Sequence, residues 1–543
     1  MRKRVLIVGG VAGGASCAAR LRRLDEEAEI VVFDRGPYVS FANCGLPYYV
    51  GNVIPEESRL LVASAELFQR NFRIEVRTEN EVVAIDRTAK RIRVKELATG
   101  RLYEEPYDAL VLAPGARPLR PDLPGVDLPG VHVLRTIPDS RRIRKWIEAE
   151  KPEQAVIVGG GFIGLEMAEN LVRRGLRVTV LERLPQLLPA LDPEMAEPVV
   201  RHLEANGVRV ELGCTVTAFE AAPGGLRIRT ASGGSFTAGL VILAVGVKPE
   251  VGLAEAAGLE IGRLGGIRVD ESMRTSDPHI WAVGDAVEVR DLVTGEWCLA
   301  PLAGPANRQG RIAADSISGR PARFRGVQGT MICACLGLVA AATGATEKRL
   351  ARAGIEHFQA VYLHPGHHAG YYPGARPIHM KLLFSTPDGR ILGAQAVGEE
   401  GVDKRIDVIS LALGMGGTVF DLAEAELSYA PQFGAAKDPV NLAGMVAANV
   451  LSGDLPLADW RELPATKALV VDVREPEEFA QDHLEGAVNI PLSRLRQRHT
   501  ELPREREIWV YCALGQRSYY ATRFLLLNGY RVKNLPGGLI TGR

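Results

Sequence analysis

The sequence predicts an α/β protein in which two nucleotide-binding βαβ domains are followed by an α+β segment and a small α/β unit. Three observations carry this. VLIVGGVAGG at 5–14 recurs as AVIVGGGFIG at 155–164, each a β-branched strand running into glycines and then a helical pattern. Each copy is closed by a second strand ending in an acid, Asp34 in VVFDR and Glu182 in VTVLER, 25 and 23 residues after the first glycine of its unit. Beyond residue 321 the pattern changes to strand-like MKLLF and ILGAQAVG with an Ala- and Gly-rich helical end, and LSGDLPLADW then reads as a linker. The expected division is 1–150 and 271–320 for a discontinuous first Rossmann-like domain, 151–270 for a second, 321–452 for the α+β segment and 453–543 for the last unit.

Composition bounds the function. At 543 residues the chain exceeds one core. With 46% hydrophobic and 24% charged residues and zero net charge, it has no global field to recruit nucleic acid, so anions must be held locally. The seven scattered cysteines are unlike a secreted disulfide framework and suit a reducing cytoplasm. The start, MRKRVLIVGGVAGGASCAA, imitates a signal peptide with a lipid-accepting Cys17, yet its apolar run covers only Val5 to Val8. No stretch has the ~18 to 20 apolar residues that span a bilayer.

In the second unit Gly159, Gly161 and Gly164 form a complete GxGxxG: a tight turn, room for a pyrophosphate, and close helix–strand packing. Glu182 is placed to accept from a ribose hydroxyl and to repel a 2′-phosphate, which favours NADH over NADPH, with Arg183 tempering the preference. The first unit departs from the pattern: Gly9 and Gly14 are present, but Val11 stands at the middle glycine. Asp34, followed by Arg35, still sits at the ribose position. The apolar strands LVLAPGARP, with Gly115, and LVILAVGVKPE read as returns between the nucleotide domains. In TSDPHIWAVGDAV, Gly284 and Asp285 resemble a later flavin motif in which the acid meets the ribityl-phosphate end. FAD in the first unit and a nicotinamide in the second is therefore the assignment.

The segment SFANCGLPYYVG at 40–51 resembles the active-site segment of the single-cysteine branch of the flavoprotein disulfide reductases, especially the coenzyme A disulfide reductases, and the resemblance runs through residues 1–450. Relatives with two cysteines space them CxxxxC; here the fifth residue after Cys44 is Tyr49, so Cys44 works alone, as a mixed disulfide, a persulfide or a sulfenic acid. The sulfenic option belongs to NADH oxidases and peroxidases of the same branch, which carry a histidine where Ala12 stands, and it ranks second. The resemblance further implies Arg20 and Arg23, one helical turn apart, as a clasp for the phosphates of coenzyme A, and Ser40 and Asn43 as contacts to its pantetheine arm. It implies Tyr371 and Tyr429 as phenols that approach the cysteine from the other subunit of a homodimer and protonate a departing thiolate.

Residues 460–543 resemble a rhodanese domain: ALVVDVREPEEF, HLEGAVNIPL, and IWVYC leading into ALGQRS. Cys512 to Arg517 is a C-x4-R loop, one residue shorter than the C-x5-R loop of cysteine phosphatases, which suits a sulfane sulfur rather than a phosphate; the helix after it favours a thiolate. Cys333 and Cys335 read as core, and His364, His367 and His368 lack supporting carboxylates, so no metal is expected. The implied function is reduction of CoA persulfide, polysulfide or CoA disulfide by NADH through FAD and Cys44, coupled to sulfur transfer at Cys512. The alternatives are an NADH oxidase or peroxidase, and a sulfur carrier whose reductase is regulatory.

Overall fold

The computed structural model describes residues 2–542. The chain forms two compact units, Met1–Leu187 with Leu203–Val327, and Leu188–His202 with Gln328–Arg543.

The first unit contains two five-stranded parallel sheets. In one, Arg4–Val8 lies between Glu29–Phe33 and Ala109–Leu112, with Glu75–Arg77 and Ile280–Ala282 at the edges. In the other, Gln154–Val158 lies between Arg177–Leu181 and Leu240–Leu243, with Arg209–Glu211 and Val131–His132 outside. The central strands are buried on both faces, so they read as apolar runs rather than alternating ones. The two return segments also pair with each other, Ala116–Pro118 running antiparallel to Val247–Pro249. A Cβ on Gly310 would run into the carbonyl oxygen of Gly13, so helices Ala12–Leu24 and Ala303–Ile317 meet backbone to backbone.

In the second unit an antiparallel sheet orders Met331–Cys335, Leu338–Gly344, Ile391–Gly398, Ile378–Ser385 and Phe358–Leu363, with helices Val402–Gly414 and Pro439–Leu451 against it. MICACLGLVAA is a hairpin within this sheet, and Cys333 and Cys335 are buried in it. A four-stranded parallel sheet, Val488–Asn489, Leu469–Asp472, Ile508–Tyr511 and Val532–Asn534, makes the last α/β layer.

The expected linker is not a free tether. Ala458 N–H donates to Asn534 O at 2.9 Å, Asn534 N–H donates to Pro456 O at 2.8 Å, and Leu455 is buried, so the segment extends the edge of the C-terminal sheet. That sheet's domain also touches the antiparallel layer: Asn449 Nδ2 donates to the Tyr519 hydroxyl at 3.2 Å, and Arg461 pairs with Glu347 at 3.5 Å. His364 supplies a third contact, since its Nε2 faces Gly537 O at 3.1 Å. Its Nδ1 lies 2.8 Å from His379 Nδ1, so one of the two rings donates and the other accepts. His367 and His368 are buried; His367 Nε2 lies 3.3 Å from Glu400 and His368 Nδ1 lies 3.0 Å from Ala369 O. Among the described residues no helix is long and apolar enough to cross a membrane.

Candidate active site

The first glycine loop opens into a cleft of about 450 Å³ lined by Gly9, Val11, Ala12, Asp34, Arg35, Asn43, Gly115, Arg135 and Asp285. Its shape comes from backbone approach. Gly9 has φ 96°, and a Cβ there would strike the Ala113 carbonyl; a Cβ on Gly14 would strike the Gly9 carbonyl. Asp34 accepts from Gly10 N–H at 3.0 Å and Gly36 N–H at 2.8 Å, which ties the strand end to the loop and leaves further lone pairs for a ribose. Burial raises its carboxyl against those two bonds. Arg35 pairs with Glu250 at 3.4 Å. Gly284 N–H donates to Gln309 Oε1 at 2.7 Å, and Asp285 lies 3.5 Å from Arg135, which counters the rise that burial imposes on it. The volume, the glycine-walled loop and the buried, unpartnered Oδ1 of Asn43 fit an extended dinucleotide such as FAD.

Cys44 sits in the short 3-10 turn Asn43–Gly45 and is exposed. Ser40 just before it has φ 47°, a left-handed conformation held by its N–H to Gly10 O and by its carbonyl to Val62 N–H, both 2.8 Å. The helix behind the thiol, Leu46–Val50, is gripped at its end: Arg144 donates to Tyr49 O at 3.2 Å and Arg174 to Val50 O at 3.1 Å. Tyr49 is buried, with the Arg144 guanidinium 4.2 Å from its ring centre and its hydroxyl 3.4 Å from Glu57. A tyrosine–arginine stack therefore fills the position that a second cysteine takes in CxxxxC relatives.

The Cys44 thiol is pushed up from its ordinary value by desolvation, then by the charges of Glu166 and Asp285, with Arg135 opposing them. Burial, together with the charge of Glu169, raises Glu166 itself to about 7. Removing the Glu166 charge with Glu166→Gln is expected to lower the thiol pKa. Alkylation of Cys44 by iodoacetamide at pH 7.5 then rises roughly threefold to tenfold. An unchanged rate would show that the Glu166 charge does not act on the thiol.

In the second loop, Gly159 has φ 111°, a Cβ on Gly164 would strike the Gly159 carbonyl, and a Cβ on Gly161 would meet nothing within 4 Å. The middle glycine thus faces open space, as a loop approached by a pyrophosphate requires. Glu182 accepts from Gly160 N–H and Leu184 N–H, both at 2.7 Å, the counterpart of what Asp34 does in the first unit.

Arg20 donates through Nε and Nη2 to Asp315 at 3.0 and 2.7 Å, a largely buried pair that holds it against the helix Ala303–Ile317. Arg23, one helical turn on, is exposed.

Tyr371 and Tyr429 lie together in the second unit, with hydroxyls 2.5 Å apart and both rings exposed. That hydrogen bond raises the Tyr429 phenol. Near them Phe433 is exposed as well.

Cys512, at the end of the strand Ile508–Tyr511, is almost fully buried. Gly515, with φ 90°, turns the loop so that its N–H points at Cys512 Sγ at 3.1 Å, and the helix Gln516–Leu527 starts there. Leu539 N–H bonds to Cys512 O at 2.9 Å and braces the loop from behind. Arg517 forms a fork with Glu478 at 2.6 and 2.7 Å. The fork holds Glu478 at about 2.

Sequence reasoning missed Arg135, Glu166 and Glu478. Glu166 carried a signal, an acid on the apolar helix FIGLEMAEN two residues past the last glycine; Arg135 carried none, because only the fold brings it to Asp285.

Comparison with known proteins matches this geometry. The model of pyridine nucleotide-disulphide oxidoreductases matches residues 3–310, that of the family's dimerisation domain 332–438, and that of rhodanese-like domains 457–540. A NADH oxidase of Methanocaldococcus jannaschii is 37% identical over 83% of this chain and 99% of its own length. A coenzyme A disulfide reductase of Staphylococcus aureus is 34% identical over 82% and 99%. The solved structure of reduced Bacillus anthracis CoADR-RHD is 45% identical with a TM-score of 0.98, covering 100% of this chain and 98% of that one. That of a NAD-dependent persulfide reductase from A. fulgidus is 40% identical with a TM-score of 0.92, covering 99% of both. The chain belongs to the pyridine nucleotide-disulphide oxidoreductases, enzymes of FAD and NAD(H), and carries their dimerisation domain and a C-terminal rhodanese-like domain.

Proposed function

We propose that this protein reduces CoA persulfide, polysulfide or CoA disulfide with NADH at Cys44 and handles sulfane sulfur at Cys512. The observation that carries the reading is the solitary, exposed Cys44 beside the cleft, with the buried Tyr49–Arg144 stack where a partner thiol would stand. Bound in the two glycine-walled sites, FAD and the nicotinamide supply a pair of electrons as hydride. Asp34 and Glu182 would hold their riboses, and Arg135, Asp285 and Gly284 the flavin end of the cleft. Cys44 as thiolate attacks a persulfide or disulfide sulfur, expels HS⁻ or a thiolate, and keeps the other half as a mixed disulfide. Two electrons then return the Cys44 thiolate and release the second thiol. Arg23, Ser40 and Asn43 would orient coenzyme A, and Tyr371 and Tyr429, contributed by the second subunit of a dimer, would protonate the leaving sulfur. Such chemistry suits a reducing, cytoplasmic compartment.

The Methanocaldococcus relative supports oxidation of NADH by O2 as the second reading. Ala12 lines the cleft where that chemistry expects an imidazole, which places it second. Anaerobic NADH oxidation with CoA disulfide, CoA persulfide and polysulfide, compared with O2 and H2O2, separates the two. Fast turnover with O2 alone would overturn the sulfur reading. Cys512→Ser is expected to leave CoA disulfide reduction intact while abolishing sulfur transfer to cyanide; polysulfide reduction that ignores the substitution would disconnect the two cysteines.

A further inference from the structure

The C-x4-R loop has one cation, and the structure neutralises it. Between Cys512 and Arg517 stand Ala513, Leu514, Gly515 and Gln516, none charged. Arg517 is gripped in bidentate fashion by Glu478, the most directional form of this ion pair. Glu478 stays ionised across the physiological range because Arg517 hydrogen-bonds it. The neighbouring cation Arg474 is likewise engaged, by the fully buried Asp472 at 2.7 Å. Leu514 and Gln516 in the loop and Tyr520 on the helix behind it are exposed, and none of them is charged.

Resting on the sulfur-transfer reading above, we propose that Glu478 sets the donor of the rhodanese-like domain: by masking Arg517 it admits sulfur carried on an organic thiol and refuses the thiosulfate dianion. The accepted reaction balances without outside electrons. The Cys512 thiolate attacks the outer sulfur of R–S–SH, the S–S bond between that sulfur and R–S breaks, the persulfide of Cys512 (–S–SH) forms, and R–S⁻ leaves. Thiosulfate would undergo the same displacement with sulfite leaving, but its two charges have to approach a loop whose one cation is already paired.

The test uses the full-length enzyme with thiosulfate or glutathione persulfide as donor and cyanide as acceptor. Loading of Cys512 is followed by intact mass as the gain of one sulfur atom. Native protein is expected to prefer the persulfide in kcat/KM by about a hundredfold. Glu478→Gln keeps the helix-capping role of this side chain, which accepts from Glu475 N–H at 3.1 Å. It is expected to raise the thiosulfate-to-persulfide ratio about tenfold, and the gain should shrink as salt is raised. In the double variant with Arg517→Gln the gain should vanish. Equal use of both donors by native protein, or a ratio unmoved by Glu478→Gln while Cys512 still loads, overturns the role of Glu478 alone. Failure of both donors to load Cys512 overturns the sulfur-transfer reading with it. CoA disulfide reduction at Cys44, measured on the same samples, reports that the variants are folded.

Discussion

Cys44→Ser is expected to cut NADH-dependent reduction of CoA persulfide and CoA disulfide by roughly 10³-fold or more, with flavin content and thermal unfolding unchanged. The size follows from the absence of a substitute. In a CxxxxC site the second thiol could still form a mixed disulfide, but here that position holds Tyr49, buried and stacked under Arg144. A serine hydroxyl is about as large as the thiol, yet it neither ionises near neutrality nor forms an S–S bond. Because Cys44 is exposed and serine differs from it by one atom, the substitution costs the core nothing comparable to the roughly 2–5 kcal/mol of a truncated buried side chain. Stopped-flow reduction of the bound flavin by NADH should proceed as in native protein, and the block should come at the step that needs sulfur. Residual turnover above about a tenth of native would place the sulfur chemistry elsewhere.

The second large effect concerns stability. Lys381 is fully buried on the strand Ile378–Ser385, with its ammonium 2.7 Å from Asp192, 2.5 Å from Glu194 and 2.8 Å from Glu347. Gln395 donates to Asp192 at 2.6 Å, and the Tyr362 hydroxyl to Glu194 at 2.8 Å. The three carboxylates have the spacing of a metal site, but the lysine stands among them as the cation. Burial alone would lower the Lys381 pKa; Tyr362 and the acids outweigh it and hold it up. Burial alone would raise Glu194, and Lys381 outweighs that too, so its carboxyl lies below its ordinary 4.5.

Lys381→Met leaves like charges facing each other in a dry pocket, and a loss of about 3–5 kcal/mol is expected, read as faster hydrogen exchange in the strands Ile378–Ser385 and Ile391–Gly398. The pH dependence has a definite sign. Lysine's raised pKa stabilises below its unfolded value of 10.5 and fades as pH rises through the folded one. Glu194's depressed pKa stabilises above 4.5 and fades as pH falls through the folded value. In the variant the repelling carboxylates gain stability by taking up protons, so the gap to native protein should close from neutrality towards about pH 4.5. A gap that stays constant with pH would mean that lost packing, not charge, is the cause.

The sequence by itself determined the features that are local in the chain. Both glycine loops and their acids were legible because a strand, a turn and a helix N-terminus must follow one another within about 30 residues to make a βαβ unit. The solitary cysteine was legible from one position, Tyr49, and the sulfur-sized loop from the count between Cys512 and Arg517. The resemblance of 40–51 then named the chemistry. What only the tertiary structure decided are pairings between segments far apart. Arg20 lies one helical turn from Arg23, yet Asp315, on a helix nearly 300 residues later, takes its guanidinium. Arg135 reaches Asp285, and Lys381 gathers three acids from two distant segments. Charges buried by folding must find partners wherever the fold brings them, and periodicity along the chain carries no record of that choice. Cys44 itself shows the division: its solitude is written in the sequence, while the raised pKa of its thiol follows from desolvation and from Glu166 and Asp285, which the fold brings close to it.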